Sequence, residues 1–169
     1  MRVWQGLFLL PIGLLAVLFD LRKDKIPNAL ILAGLVLGCF FQIVQARLLG
    51  MIVFLGGIGL PLILGAGIYY FRMMGAGDIK LLAVAGGFLG PQKAFYCTIV
   101  SLIVGSVLSL LLLLKRRNLK ERILYFYSYM NRQQFGGLEP YLNEQDRGGR
   151  MHFAAAIFGA LLLYIGGVY

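Results

Sequence analysis

The sequence predicts an all-α fold: a polytopic membrane bundle of about six transmembrane helices forming a single domain over residues 1–169. Three observations carry that prediction. Hydrophobic residues make up 60% of the chain and charged residues only 14%, with a mean hydropathy of +0.82, whereas a soluble domain carries about 25% charge. The apolar residues gather into runs, and ~20 such residues cross a ~30 Å hydrocarbon core. Finally, the basic residues bracket these runs instead of forming one soluble face. The net charge of +9 is therefore read as membrane topology, and no nucleic-acid partner is expected.

Hydropathy places the spans at 3–19, 27–46, 48–71, 78–89, 94–114 and 151–168. The first has no extended charged leader and no small-residue cleavage site, and it ends on Asp20. It is read as a retained span and not a secretory signal. Pro27 suits the first turn of the second span and biases Ile26 to an extended conformation. The fourth run is short and carries Gly86 and Gly87, so it is expected to be tilted, partly re-entrant, or part of a helix that runs past its apolar residues. Between the last two spans lies a basic polar segment, 115–150. Leu119, Ile123, Phe126 and Met130 recur there at helical spacing opposite Arg116, Lys120 and Arg122, ahead of Gly136, Gly137 and Pro140. This pattern predicts an interfacial amphipathic helix on the cytoplasmic side.

Glycine and other small residues recur at i, i+4 within the spans: Gly34 with Gly38, Ala83 with Gly87, Ser101 with Gly105, and Gly105 with Ser109. Such spacing lets helix backbones approach closely in lipid. Cys39 and Cys97 lie inside apolar runs, with neither CxxC spacing nor a nearby histidine. They read as free buried thiols, and no metal or cofactor is expected.

Orientation follows from the basic residues. Arg22, Lys23, Lys25, Arg72, Lys80 and the eight Lys and Arg of 115–150 fall on one side, leaving Arg2, Arg47 and Lys93 of the 16 on the other. The richer side is assigned to the cytoplasm, with both chain ends outside. Asp20 and Asp78 then share the cytoplasmic level, at the ends of spans one and four.

Those two aspartates are the candidate catalytic residues. An ionisable group at the edge of a membrane span is costly and marks function by default. Two carboxylates can hydrolyse a peptide bond by sharing a proton: the ionised one activates water while the protonated one polarises the carbonyl, and like charges a few ångström apart resist double ionisation. Gly75 and Gly77 flank the acid in Gly75-Ala76-Gly77-Asp78-Ile79-Lys80. They are expected to take positive φ and to let the backbone approach an extended substrate. Pro27 holds Asp20 on a short, defined connection.

The Asp20 box with Ile26-Pro27-Asn28, joined to Gly75-Ala76-Gly77-Asp78-Ile79-Lys80-Leu81-Leu82-Ala83 and to Gly86, Gly87 and Gly90, resembles the type IV prepilin peptidases, membrane aspartyl proteases of the GxGD type. The similarity covers about residues 15 to 105, fades through 115–150 and partly returns at Met151-His152-Phe153-Ala154 and Gly159, with His152 where the family often has proline. The resemblance implies cleavage, after a glycine, of the short basic leader of prepilins or pilin-like proteins at the cytoplasmic face of the cell membrane. It implies Asp20 and Asp78 as the catalytic pair, and pilus or secretion assembly machinery as the setting. It makes Gly75, Gly77, Lys80, Pro27 and Asn28 candidates for binding substrate or shaping the loop. Longer members carry an N-terminal domain with paired CxxC motifs and methylate the new N-terminus. The chain looks like the short, peptidase-only form, as in Flp or Tad-type and archaeal preflagellin peptidases, and methyltransferase activity is not expected.

Other readings are weaker. Asp24, between Lys23 and Lys25, reads as a solvated loop charge, and His152 as an interfacial residue. Lys80, two residues beyond Asp78, should point away from it on a helix. A small transporter using Asp20 and Asp78 as a proton or cation relay is the competing class, disfavoured because neither acid is at mid-membrane and no repeated broken-helix pattern is present. A non-catalytic assembly subunit would have no need of both aspartates.

Overall fold

The computed structural model describes residues 2–23, 25–70, 74–115 and 153–167. Every regular element among them is helical: α1 (Arg2–Lys23), α2 (Asn28–Tyr70), α3 (Ala76–Leu89), α4 (Pro91–Lys115) and α5 (Phe153–Ile165). Asp24, Arg72, His152 and the amphipathic helix expected within 115–150 lie outside the described residues. Backbone contacts group Met1–Gly105 with His152–Tyr169 as one compact unit and Ser106–Met151 as another. The packing described below belongs to the first.

The helical pattern is interrupted inside α2 at Ala46 (φ −135°, ψ 16°) and Arg47 (φ 51°, ψ −128°). This break divides α2 into two arms, 28–45 and 48–70, matching the second and third expected spans. The reversal is tight: a methyl group on Gly50 would collide with the backbone carbonyl of Gln42. With α2 counted as two arms, six helical segments are described. Taken whole, α2 (Asn28–Tyr70) is long and apolar enough to cross a membrane, as is Pro91–Leu111 of α4, and Phe153–Ile165 is a shorter apolar helix.

Within α2 the buried residues are Ile31, Gly34, Gly38, Gln42, Gly50, Phe54, Gly57, Pro61 and Gly65. Their three- and four-residue spacing marks one face, and most of them are small. Leu32, Val36, Phe40 and Val44, on the other side of the first arm, are 60–69% exposed. Small side chains inside and large apolar ones outside is the distribution of a bundle whose solvent is lipid.

The uncertain fourth run is α3, which lies at the centre. It begins two residues before Asp78, and every residue from Leu81 to Leu89 is buried. Its core partners come from α1 (Leu9, Ile12, Ala16), α2 (Ile31), α4 (Cys97) and α5 (Ile157, Leu161, Tyr164). Fourteen residues give a helix of ~21 Å, too short to span alone, but it is enclosed by protein instead of lipid. Gly90 ends it at φ 79°, ψ 169°, a conformation essentially reserved for glycine. The Gly90 N–H returns to the Gly86 carbonyl at 2.8 Å, and the Gly90 carbonyl accepts from Ala94 at 2.9 Å, opening α4.

Two contacts fix α3 against the arms of α2. Gln42, 4% exposed, donates from Nε2 to the carbonyls of Gly87 (3.1 Å) and Phe88 (3.0 Å). These carbonyls belong to the last turn, which has no intrahelical donors left for them. On the second arm, Gly57 and Gly86 face each other, and a methyl group on either would strike the other's carbonyl oxygen. Each carbonyl therefore lies against the other's α-carbon, the arrangement of a reciprocal Cα–H···O contact. Pro61 lacks the N–H that would otherwise bond the Gly57 carbonyl.

The direction of each helix follows from its neighbours. A methyl group on Gly34 would lie 2.6 Å from Val84 Cγ1 and 3.6 Å from Ile12 Cγ2, and one on Gly38 would lie 3.1 Å from Phe88. The first arm and α3 thus run parallel. Gly65 sits against Ile79 and Gly57 against Gly86, so the second arm runs antiparallel to α3. Gly6 against Ile165 and Gly13 against Leu161 set α1 antiparallel to α5. Every member of the small pairs anticipated for packing is buried except Ser109, which is exposed.

Candidate active site

Asp20 lies in the last turn of α1, ahead of Arg22 and Lys23. It is half-buried, and its Oδ2 is shielded from solvent. The chain then passes through Lys25 and Ile26 to Pro27, whose carbonyl accepts from Leu30 (3.1 Å) and Ile31 (3.4 Å). Pro27 is therefore the residue flanking α2, one position earlier than its expected place in the first turn. Asn28 opens the helix.

Asp78 is the third residue of α3 and also half-buried. The carbonyl of Gly75 accepts from the backbone N–H groups of Asp78 (3.2 Å) and Ile79 (3.4 Å). An acid in the first turn is favoured by the positive end of the helix dipole. The Asp78 carboxylate folds back over Gly75, where a methyl group would lie 3.1 Å from Oδ2.

The expected role of positive φ at the two glycines is corrected here. Gly75 is extended at φ −75°, ψ 145°, and Gly77 lies within α3. Positive φ among the described glycines belongs to Gly90 and Gly167. What Gly75 and Gly77 supply is room: Gly75 for the Asp78 carboxylate, and Gly77 for Ile26, whose Cβ, Cγ1 and Cδ1 would all lie 3.7 Å from an added methyl. Neither glycine is at positive φ; a side chain would crowd its neighbour at Gly75, whereas at Gly77 a methyl would make an ordinary contact with Ile26.

Lys80 does point away from Asp78, as two residues rotate ~200° around a helix. Its Nζ donates instead to Asn28 Oδ1 at 3.0 Å, across 52 residues of sequence. Ile26 over Gly77 and Asn28 on Lys80 together tie the α1–α2 connection to the first turns of α3. Ile12, Gly34 and Val84 mark one common layer. From it, Asp20 is eight residues along α1 and Asp78 six residues back along α3, which is ~12 Å and ~9 Å in the same direction. The two carboxylates thus stand at one end of the bundle and near one level. Exposed Arg22, Lys23, Lys25 and Lys80 surround that end, and Lys23 Nζ lies 5.9 Å from the Phe19 ring centroid.

The sequence reading did not single out Gln42, Gly57, Pro61 or Gly86 in these contacts. A signal existed for Gln42, since a polar side chain inside an apolar run needs a buried partner. Among the described residues, no three His, Cys, Asp or Glu side chains group to hold a metal ion. The chemistry on offer is that of two half-buried carboxylates carried by separate helices with fixed ends.

The family described as the type IV leader peptidases matches residues 7–110, a stretch that includes Asp20, both arms of α2, α3 and most of α4. No curated protein and no solved structure matches the chain.

Proposed function

This chain belongs to the type IV leader peptidase family, and from that premise we propose that it is an aspartic endopeptidase acting with Asp20 and Asp78. Its substrates are type IV prepilins or pilin-like proteins, cut at the junction of the short basic leader. The work is done at the cytoplasmic face of a multi-pass membrane domain. The observation that carries the reading is the common level of Asp20 and Asp78, reached from two different helices.

In the proposed reaction the ionised carboxylate takes a proton from water as the water oxygen attacks the scissile carbonyl carbon. The protonated partner donates a hydrogen bond to the carbonyl oxygen and stabilises the tetrahedral intermediate. Collapse of the intermediate breaks the C–N bond, with a proton delivered to the leaving nitrogen, and the pair again holds one proton. Metal and redox cofactors play no part in this scheme. Arg22, Lys23, Lys25 and Lys80 lie around the site, where they attract anionic headgroups and help hold this end at the membrane surface.

The test is to incubate the purified protein in detergent with a pilin-like substrate bearing a short basic leader, and to map the products by mass spectrometry. One cut after a glycine at the end of the leader is expected. An intact substrate under conditions where the protein is folded removes the proposal, and ion flux through the same protein in vesicles would favour the relay instead.

A further inference from the structure

We propose that Lys80 and Asn28 form a positioning latch that sets the separation of Asp20 and Asp78, and that neither residue contacts substrate. The inference rests on the two-aspartate reading above. It is carried by the 3.0 Å hydrogen bond from Lys80 Nζ to Asn28 Oδ1 and by where its ends are anchored. Asn28 is the first residue of α2, joined to the Asp20 end of α1 by a short connection, and Lys80 lies two residues beyond Asp78.

Lys80 is poorly placed for stabilising its own helix. As the fifth residue of α3 it lies past the first turn and far from the C-terminal end where the helix dipole would favour a cation, and it is exposed, so burial does not explain it. An exposed hydrogen bond also adds little to global stability. What the bond fixes is local, because it joins the beginnings of two helices whose neighbouring residues bear the carboxylates. Ile26, seated over Gly77, limits approach between the same two segments. The latch supplies the matching restraint against separation. At the other end of α3, Gln42 fixes the last turn to the same arm of α2, so α3 is held to that arm at both ends.

Reacting groups lose about a hundredfold in rate when misplaced by about 1 Å. Loss of the latch is therefore read in kcat and not in KM. With the full-length protein and the pilin-like substrate, Lys80→Met and Asn28→Leu should each lower kcat by about tenfold or more, with KM near that of wild type. The double variant should be no worse than the more damaged single variant, because both remove one interaction. Lys80→Arg and Asn28→Asp, which keep a donor facing an acceptor, should recover most of the activity. Additive losses, a change confined to KM, or wild-type kcat in Lys80→Met each overturn the latch.

A second measurement does not depend on cleavage. Spin labels at Leu21→Cys and Ala76→Cys, both exposed sites, in a background with Cys39 and Cys97 replaced, report the separation of the two helix ends. A narrow distance distribution that broadens in Lys80→Met supports the latch, and an unchanged distribution overturns it. Activity in Asp20→Asn, by contrast, would sink the two-aspartate reading and leave the distance result to decide the latch by itself.

Discussion

Gly57 and Gly86 meet backbone to backbone, each holding its carbonyl oxygen against the other's α-carbon. No side chain fits between them, so the second arm of α2 and α3 meet here through their backbones. Gly57→Ala or Gly86→Ala must push these helices apart and overpack the centre, at a cost of about 1–3 kcal/mol or more. Gly56→Ala should stay within about 0.5 kcal/mol, because its methyl would lie 3.6 Å from Pro91 Cγ, an ordinary contact. Thermal unfolding in detergent, followed by circular dichroism, compares the three. Equal melting temperatures would contradict the crossing.

Gln42→Leu keeps the apolar bulk but leaves the buried carbonyls of Gly87 and Phe88 without the donor that now reaches them. The expected loss is about 1–3 kcal/mol. Backbone hydrogen exchange should quicken around Gly90 and the start of α4 before it does so in α1. Unchanged exchange and stability in Gln42→Leu would mean the two bonds contribute nothing.

Gly75→Ala and Gly77→Ala should behave differently although they belong to one motif. The first places a methyl 3.1 Å from Asp78 Oδ2, the second one 3.7 Å from Ile26. Cleavage should fall by about tenfold or more in Gly75→Ala as the carboxylate is displaced, with little change in melting temperature. Gly77→Ala should remain active, whereas Gly77→Val, which must dislodge Ile26, should not. Equal activity in the two alanine variants would show that room over Gly75 does not set the position of Asp78.

Asp20→Asn and Asp78→Asn should each abolish turnover while the protein inserts and purifies normally, since each removes one member of a proton-sharing unit. Asp24→Asn should cleave like wild type. The decisive measurement is product formation against a verified substrate, and near-normal turnover in either asparagine variant would end the two-aspartate proposal.

Topology gives an independent check. Cysteines introduced within 115–150 should react only with reagents that reach the cytoplasm, and one at Gln92 should react from outside. The reverse pattern would put the carboxylates on the wrong face for a cytoplasmic leader.

Much of this was legible in the sequence because lipid restricts the choices. Apolar runs had to be helices, Arg47 between two of them had to mark a break, and carboxylates at span ends had to be singled out. Contacts between distant segments were not legible. Asn28 and Lys80 were each noticed, but nothing in a sequence reveals that residues 52 positions apart bond to each other. The glycines of the acid motif predict both positive φ and close backbone approach, and the structure decides the first alone, placing neither glycine at positive φ, because the letter does not say which freedom is used. Gly90 takes the positive φ because it must end α3 immediately before Pro91 opens α4.

The enclosure of α3 has a consequence for how this protein experiences its membrane. A bilayer that thickens or thins acts on helices that touch lipid, tilting or stretching them to match. From Leu81 to Leu89 α3 presents nothing to lipid, so such forces reach it only through its neighbours. Asp78, three residues before that stretch, is thereby carried on a helix whose depth in the proposed membrane setting follows the helices around it and not the lipid directly.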